Sequence, residues 1–152
     1  MKFIIEGNPI SDARPRHTTM KGKTWNYDPK SKKKLITCRQ IKSQILEALK
    51  SEDTEIVKEA SDLTQDGYFE VDLIFHLPMP KSFNTKKINA VLQGFKQMNS
   101  KPDIDNLVKY YLDCCNKLLY PDDRMITHLT ATKCYSENPR TVIFVKKTKE
   151  FI

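Results

Sequence analysis

No apolar run in this 152-residue chain approaches the ~18–20 residues needed to cross a bilayer. The opening MKFIIEGNPI holds too few apolar residues for a signal peptide and reads as a strand. These two absences predict a cytoplasmic protein. Cys-x-x-Cys spacing is also missing. Cys38, Cys114, Cys115 and Cys134 stand without it, and His17, His76 and His128 are scattered, which argues against a structural zinc site. Cys114 and Cys115 fall on a helical pattern and are expected as reduced core or near-core thiols. There is no internal repeat and no low-complexity linker. The length predicts one domain, residues 1–152, with enough chain to bury a proper core.

Acid is scarce in two stretches. Eight Lys/Arg residues lie between Arg14 and Lys34 against the single acid Asp28. Residues 81–101 contain Lys81, Lys86, Lys87, Lys96 and Lys101 and no acid. The net charge of +7 favours an anionic partner, nucleic acid before acidic membrane. Both stretches suit a DNA backbone, although any one lysine is ordinarily just solvated charge. Trp25 and Tyr27 sit in the first stretch. Such side chains stack on unpaired bases or pack against protein, and packing is the expectation. The acids collect elsewhere: Glu52, Asp53, Glu55, Glu59, Asp62 and Asp66 face only Lys58. That segment is expected as a helix extension or capped insertion turned away from nucleic acid.

Periodicity orders the rest. Residues 2–6 read as a strand and 11–26 as a polar, irregular segment. A helix is predicted over 29–50, with Leu35, Cys38, Ile41, Ile45 and Leu49 on its apolar side. YFEVDLIFHL, residues 68–77, alternates strictly and is the clearest strand. Asn84 or Thr85 caps a short helix ending at Gly94. A helix over 103–118 follows, then strands over 125–135 and 141–147. The order predicts an α+β domain with a small mixed sheet of about four strands and helices on one face.

The acidic run KPDIDNLVKYYLDCCNKLLYPDDR, residues 101–124, interrupts the basic chain. Asp103 or Asp105 suits a helix cap, Asp105 and Lys109 are spaced for an ion pair, and Pro121-Asp122-Asp123 suits a turn. The same residues suit a hard divalent cation, which takes carboxylate oxygens and leaves room for water and phosphate. Two aspartates at a helix start, with a third returned by a turn, would build such a site. The cation would activate water or stabilise phosphate charge, and Lys109, one turn beyond Asp105, would face the developing charge. Residues two apart on a helix point about 200° apart. Asp103 shares a metal with Asp105 only if it lies at or before the first helical residue. Asp113 is expected as a helix-surface carboxylate, and His128 as a strand residue.

This run resembles the RusA family of Holliday junction resolvases, found in bacteria and in their phages and prophages. The resemblance rests on KPDIDNLVKYYLDCCNKLLYPDDRMITHLTATKCY, about 35 residues, and extends weakly to EGNPISDARPR and LPMPKSF. The family pattern is K-P-D-hydrophobic-D-N-hydrophobic-x-K, then a D-D before the next strand. It implies that Asp103, Asp105 and Asp123 are metal carboxylates, that Lys109 is the catalytic lysine, and that Asp122 adjoins the site. Arg14 and Arg16 match a basic position suited to phosphate, beside Lys81, Lys86, Lys87 and Lys101. The implied protein is a homodimeric Mg²⁺- or Mn²⁺-dependent endonuclease that cuts two strands of a four-way DNA junction symmetrically. Two-fold symmetry would match two equivalent strands to two equivalent sites. The acidic segment 51–66 has no counterpart in compact family members and leaves the dimer surface open. Two other readings stand beside this one: a branched-DNA-binding protein without catalysis, and a metal-dependent nuclease for other DNA structures.

Overall fold

The computed structural model describes residues 1–13, 16–94 and 98–148. In chain order the elements are β1 (Lys2–Glu6), β2 (Arg16–Met20), β3 (Lys23–Tyr27), α1 (Ser31–Leu49), α2 (Thr54–Asp62), β4 (Tyr68–Pro78), α3 (Thr85–Leu92), α4 (Ile104–Cys115), a 3₁₀ turn (Asp123–Met125), β5 (Ile126–Ser136) and β6 (Arg140–Thr148). The fold is α+β. Four strands form one sheet in the order β1-β6-β4-β5, and β2 and β3 form a separate hairpin. β4 and β5 are parallel and the other pairs antiparallel, so the main sheet is mixed. The parallel pair needs a crossover, and the connection through α3 and α4 supplies it.

The alternation of β4 sets the two faces. Phe69, Val71, Leu73, Phe75 and Leu77 are buried while the residues between them are not. They join Phe3 and Ile5 of β1 and Ile143 and Val145 of β6 beneath α1 and α4, which contribute Ile41, Leu107, Tyr110, Tyr111, Cys114 and Cys115. Each such side chain adds about 1.5–3 kcal/mol by leaving water. Burial holds the thiols of Cys114 and Cys115 well above the ordinary cysteine range, so they are inert core groups, and all four cysteines are free.

α1 turns a slightly different face inward from the one its sequence pattern suggests. Thr37, Ile41 and Ala48 are buried, whereas Leu35 and Leu49 are exposed. The buried Thr37 hydroxyl pairs with the Tyr110 hydroxyl at 3.2 Å, a polar contact to α4 on the same inward face as Ile41. Gln44 closes the outer edge of β1. Its amide accepts from the Ile4 N–H at 3.0 Å and donates to the Ile4 carbonyl at 2.7 Å, as a neighbouring strand would. α2 is a separate helix, capped by the Asp53 carboxylate accepting from the Glu55 N–H. No helix of the described residues is long and apolar enough to cross a membrane.

Residues 11–26 depart from the irregular segment expected of them, since β2 and β3 pair over Arg16–Tyr27. Lys21 and Gly22 at the turn both have positive φ, which suits the primed turns that fit hairpin twist. The signal was hidden because Lys-Gly lacks the Asn-Gly or Asp-Gly marking of such turns.

On the sheet face away from the helices, His76 lies 3.5 Å from the Cys134 sulfur. Burial first, and the Arg140 charge second, hold its pKa below 6.5. The folded protein therefore resists protonating His76 more than the unfolded chain does. Stability is expected to be level above about pH 6.5 and to fall as pH drops below it. Urea unfolding at pH 7.5 and 5.5 checks this, and His76→Gln should flatten the difference.

Candidate active site

α4 starts where Pro102 ends the basic connection. Asp103 is its N-cap residue, with extended backbone at φ −69°, ψ 140°, and its side chain makes no capping hydrogen bond. It therefore meets the geometric condition for acting with Asp105, and its carboxylate is not used to satisfy the helix end. Asp105 lies in the first turn, and both residues are exposed. Lys133 of β5 fixes this start. Its ammonium donates to the Ser100 carbonyl at 2.7 Å and the Pro102 carbonyl at 3.0 Å. Tyr135, two residues on, pairs with the Ser100 hydroxyl at 2.8 Å. Lys133 points to the helix-covered face because it is in register with Phe75. Its part was not readable from the sequence, where it is one more strand lysine.

Lys109 does not pair with Asp105. It lies 3.4 Å from Asp12, a residue in the loop after β1. That loop docks on α4 through two backbone donors. The Ile10 N–H reaches the Tyr111 hydroxyl at 3.3 Å, and the Asp12 N–H reaches the Asn106 carbonyl at 2.8 Å. The Asp12 side chain is only 6% exposed, against 61% for that of Lys109, so Asp12 is a buried carboxylate beside an exposed ammonium.

Lys34 of α1 gathers the surrounding acids. Its ammonium lies 3.3 Å from Asp12, 3.1 Å from Asp28 and 3.0 Å from Asp113. Burial alone would lower the Lys34 pKa, but hydrogen bonds to Asp113, Asp28 and Asp12 outweigh it and raise the value well above the ordinary lysine range. Asp28 is held below the usual carboxylate range by the Lys30 backbone N–H first and Lys34 second. Asp113 is thus an exposed helix carboxylate with a structural tie. Asp105, Lys109 and Asp113, four apart, share one face of α4.

The chain does not gather all the predicted carboxylates. Tyr111 packs on Phe75 with ring centroids 5.5 Å apart, and Tyr120 on Phe69 at 6.1 Å. α4 therefore runs opposite to β4 and β5. Asp103 and Asp105 open the helix, while Asp122 and Asp123 follow its far end, beyond a helix about 18 Å long. Among the described residues no three His, Cys, Asp or Glu side chains are grouped to hold a metal ion. Asp122 accepts from the Arg124 N–H and lies 3.6 Å from its side chain. Asp123 begins the 3₁₀ turn and is exposed.

The predicted DNA contacts are all on the surface where described. Lys81, Lys86, Lys87 and Lys101 are exposed, with Lys86 and Lys87 at the start of α3, where Asn84 accepts from the Lys87 N–H. Arg16 is exposed in β2. Arg14 lies outside the described residues, as does Lys96. Trp25 and Tyr27 are not packing residues: they are 64% and 46% exposed. His128 is an exposed β5 residue, lining a concavity of about 560 Å³ with Tyr68, Glu70, Thr127 and Thr148.

A basic α+β domain with paired aspartates and a lysine on an exposed helix start has the make-up of a protein that handles DNA phosphates. The chain belongs to the RusA endodeoxyribonuclease family, whose description, Endodeoxyribonuclease RusA, it matches over residues 6–146. It is also 30% identical over 149 residues to an uncharacterized protein, YqaN, of Bacillus subtilis strain 168, covering 97% of this chain and 96% of that protein.

Proposed function

We propose that the protein is a divalent-cation-dependent endonuclease that resolves four-way DNA junctions by symmetric phosphodiester hydrolysis in recombination and repair. It would act in the cytoplasm as a homodimer. The observation that carries this reading is the Asp103 carboxylate, left unused by the helix it caps, beside Asp105 and Lys109 on a basic surface. Family membership supports the nuclease class. Mg²⁺ is usually held by one or two carboxylates plus water and substrate phosphate, without a full protein cage. Asp103 and Asp105 therefore fit Mg²⁺ or Mn²⁺ as a pair; Asp123, with Asp122 as its neighbour, would become a third ligand only in an assembly that brings the two ends of α4 together. Once bound, such an ion supplies charge stabilisation and a more acidic water.

The chain's own residues do the rest. Exposed Lys81, Lys86, Lys87 and Lys101 draw the phosphate backbone toward the start of α4, and Arg16 holds it on the hairpin side, with Arg14 as a further phosphate contact. Lys109, one turn from Asp105, sits against the charge that develops on the phosphorus oxygens. Asp12 limits where that ammonium goes. Asp12→Asn should lower kcat on junction DNA about tenfold and leave KM within about twofold, as expected for a group acting in the transition state. Asp12→Glu should recover part of the loss.

The defining experiment incubates a synthetic four-way junction, a fork and a duplex of equal length with the protein in Mg²⁺ and in EDTA. Paired cuts in the junction that require Mg²⁺ support the proposal. Salt-sensitive junction binding without cutting would replace it with a branched-DNA-binding role, and preferential cutting of the fork with a nuclease of another specificity.

A further inference from the structure

All ten residues of β2 and β3 are exposed. A lone two-stranded hairpin has little stability of its own, and cross-strand partners share a face. Here Arg16 is opposite Tyr27, Thr18 opposite Trp25 and Met20 opposite Lys23, all on one face. The second face is polar and closed on itself. His17 pairs with Asn26, and the Thr19 and Thr24 hydroxyls lie 3.4 Å apart. The first face has no such closure. Trp25 and Met20 are 64% and 65% exposed and Tyr27 is 46% exposed, between the cations of Arg16 and Lys23.

The roots of this hairpin are anchored beside the candidate site. Asp12, just before it, and Asp28, immediately after it, both bind the Lys34 ammonium, and Asp12 also binds Lys109. The hairpin thus rises from the helix face that carries the candidate catalytic lysine. Asp28, the one acid between Arg14 and Lys34, is tied at the root. What remains is an aromatic surface edged by cations. That chemistry suits a nucleic-acid strand with unstacked bases: rings stack on rings, and phosphates meet Arg and Lys. A four-way branch offers such bases more readily than a duplex does.

We propose that this hairpin face is a stacking platform for bases at the DNA branch, with Trp25 taking an unstacked base, Tyr27 beside it, and Arg16 and Lys23 on the flanking phosphates. The proposal rests on the junction reading above for the identity of the substrate.

Trp25 is the sole tryptophan, so protein fluorescence reports on this face directly. The intact protein is titrated in EDTA with a four-way junction and with a duplex of equal length, following tryptophan emission and, separately, the anisotropy of labelled DNA. The junction should quench Trp25 in step with binding, and the duplex much less. Trp25→Ala should weaken junction binding about tenfold or more, the scale of one lost stack, with duplex binding changed less than about twofold. Trp25→Phe should keep most of the affinity, and circular dichroism checks that both variants fold. Junction binding without quenching, or with undiminished affinity in Trp25→Ala, overturns the platform even if the wild type cuts junctions in Mg²⁺. Emission that instead tracks protein concentration without DNA, with a changed oligomeric state in Trp25→Ala, makes the face a contact between copies and also overturns it. Quenching with junction binding in a protein that never cuts leaves the platform standing and removes only the nuclease reading.

Discussion

Asp105→Asn should abolish metal-dependent junction cleavage, lowering the rate by about three orders of magnitude or more, and leave junction affinity in EDTA unchanged or slightly higher. The asymmetry follows from the site. Asparagine keeps the shape and the helix position but removes a negative ligand from a hard cation, and loss of several kcal/mol of transition-state stabilisation is a thousandfold or more in rate. Ground-state binding depends on the lysines and arginines around the site. Against them, removing an exposed carboxylate lessens repulsion toward phosphate. Asp103→Asn should behave alike, because its carboxylate has no cap bond to lose. Cleavage rates and anisotropy on one junction provide the check, and wild-type cutting by Asp105→Asn would refute the assigned mechanism. Asp123→Asn is informative in a different way. Asp123 follows the far end of α4, so a loss as large as that of Asp105→Asn would require the ends to be brought together in the active assembly.

The second large effect is structural. Lys34→Met should destabilise the fold by about 2–4 kcal/mol in urea unfolding and speed chymotrypsin cleavage at Trp25 and Tyr27 of the already exposed hairpin by loosening its root. Removing one partner of a buried ion pair leaves the other charge uncompensated. Here that group is Asp12, 6% exposed, which keeps Lys109 and the Ala13 N–H, and those remaining contacts keep the loss below the top of the usual range. The pH dependence distinguishes the clamp from simple packing. The raised Lys34 pKa contributes stability in full below about pH 10.5, lost as pH rises through its folded value. The lowered Asp28 pKa contributes above its ordinary 3.8, lost as pH falls through its folded value. The wild-type advantage over Lys34→Met should thus be constant across the neutral range and shrink at both extremes. A variant as stable as wild type at pH 7 would contradict the clamp.

The lesson from Lys34 is general for this chain. In the sequence it is the last of KSKKK, one cation among eight in its stretch, and solvated charge is the sound expectation. Its neighbours Lys32 and Lys33 meet that expectation and are exposed. Only the packing of α1 against α4 singles out position 34, by bringing Asp12, Asp28 and Asp113 to it from three other places. Lys109 illustrates the same limit. The i,i+4 spacing offers Asp105 as its partner, but a loop from the opposite end of the chain supplies Asp12. Trp25 and Tyr27 show the reverse error: aromatics are mostly buried, and these lie on a hairpin with nothing described beneath them.

The sequence by itself determined the α+β class, the central strand through its strict alternation, the helix beginning after Pro102, and the acidic helix start within a basic chain. These are local properties, written in periods of two and 3.6 and in the backbone restriction imposed by proline. The tertiary structure alone decided which charges meet. It set Asp12 against Lys109, Lys133 under the start of α4, and Asp122 and Asp123 at the helix end away from Asp103 and Asp105. Contacts between residues 30 to 100 positions apart depend on helix rotation and strand order, and both follow from how the whole core packs.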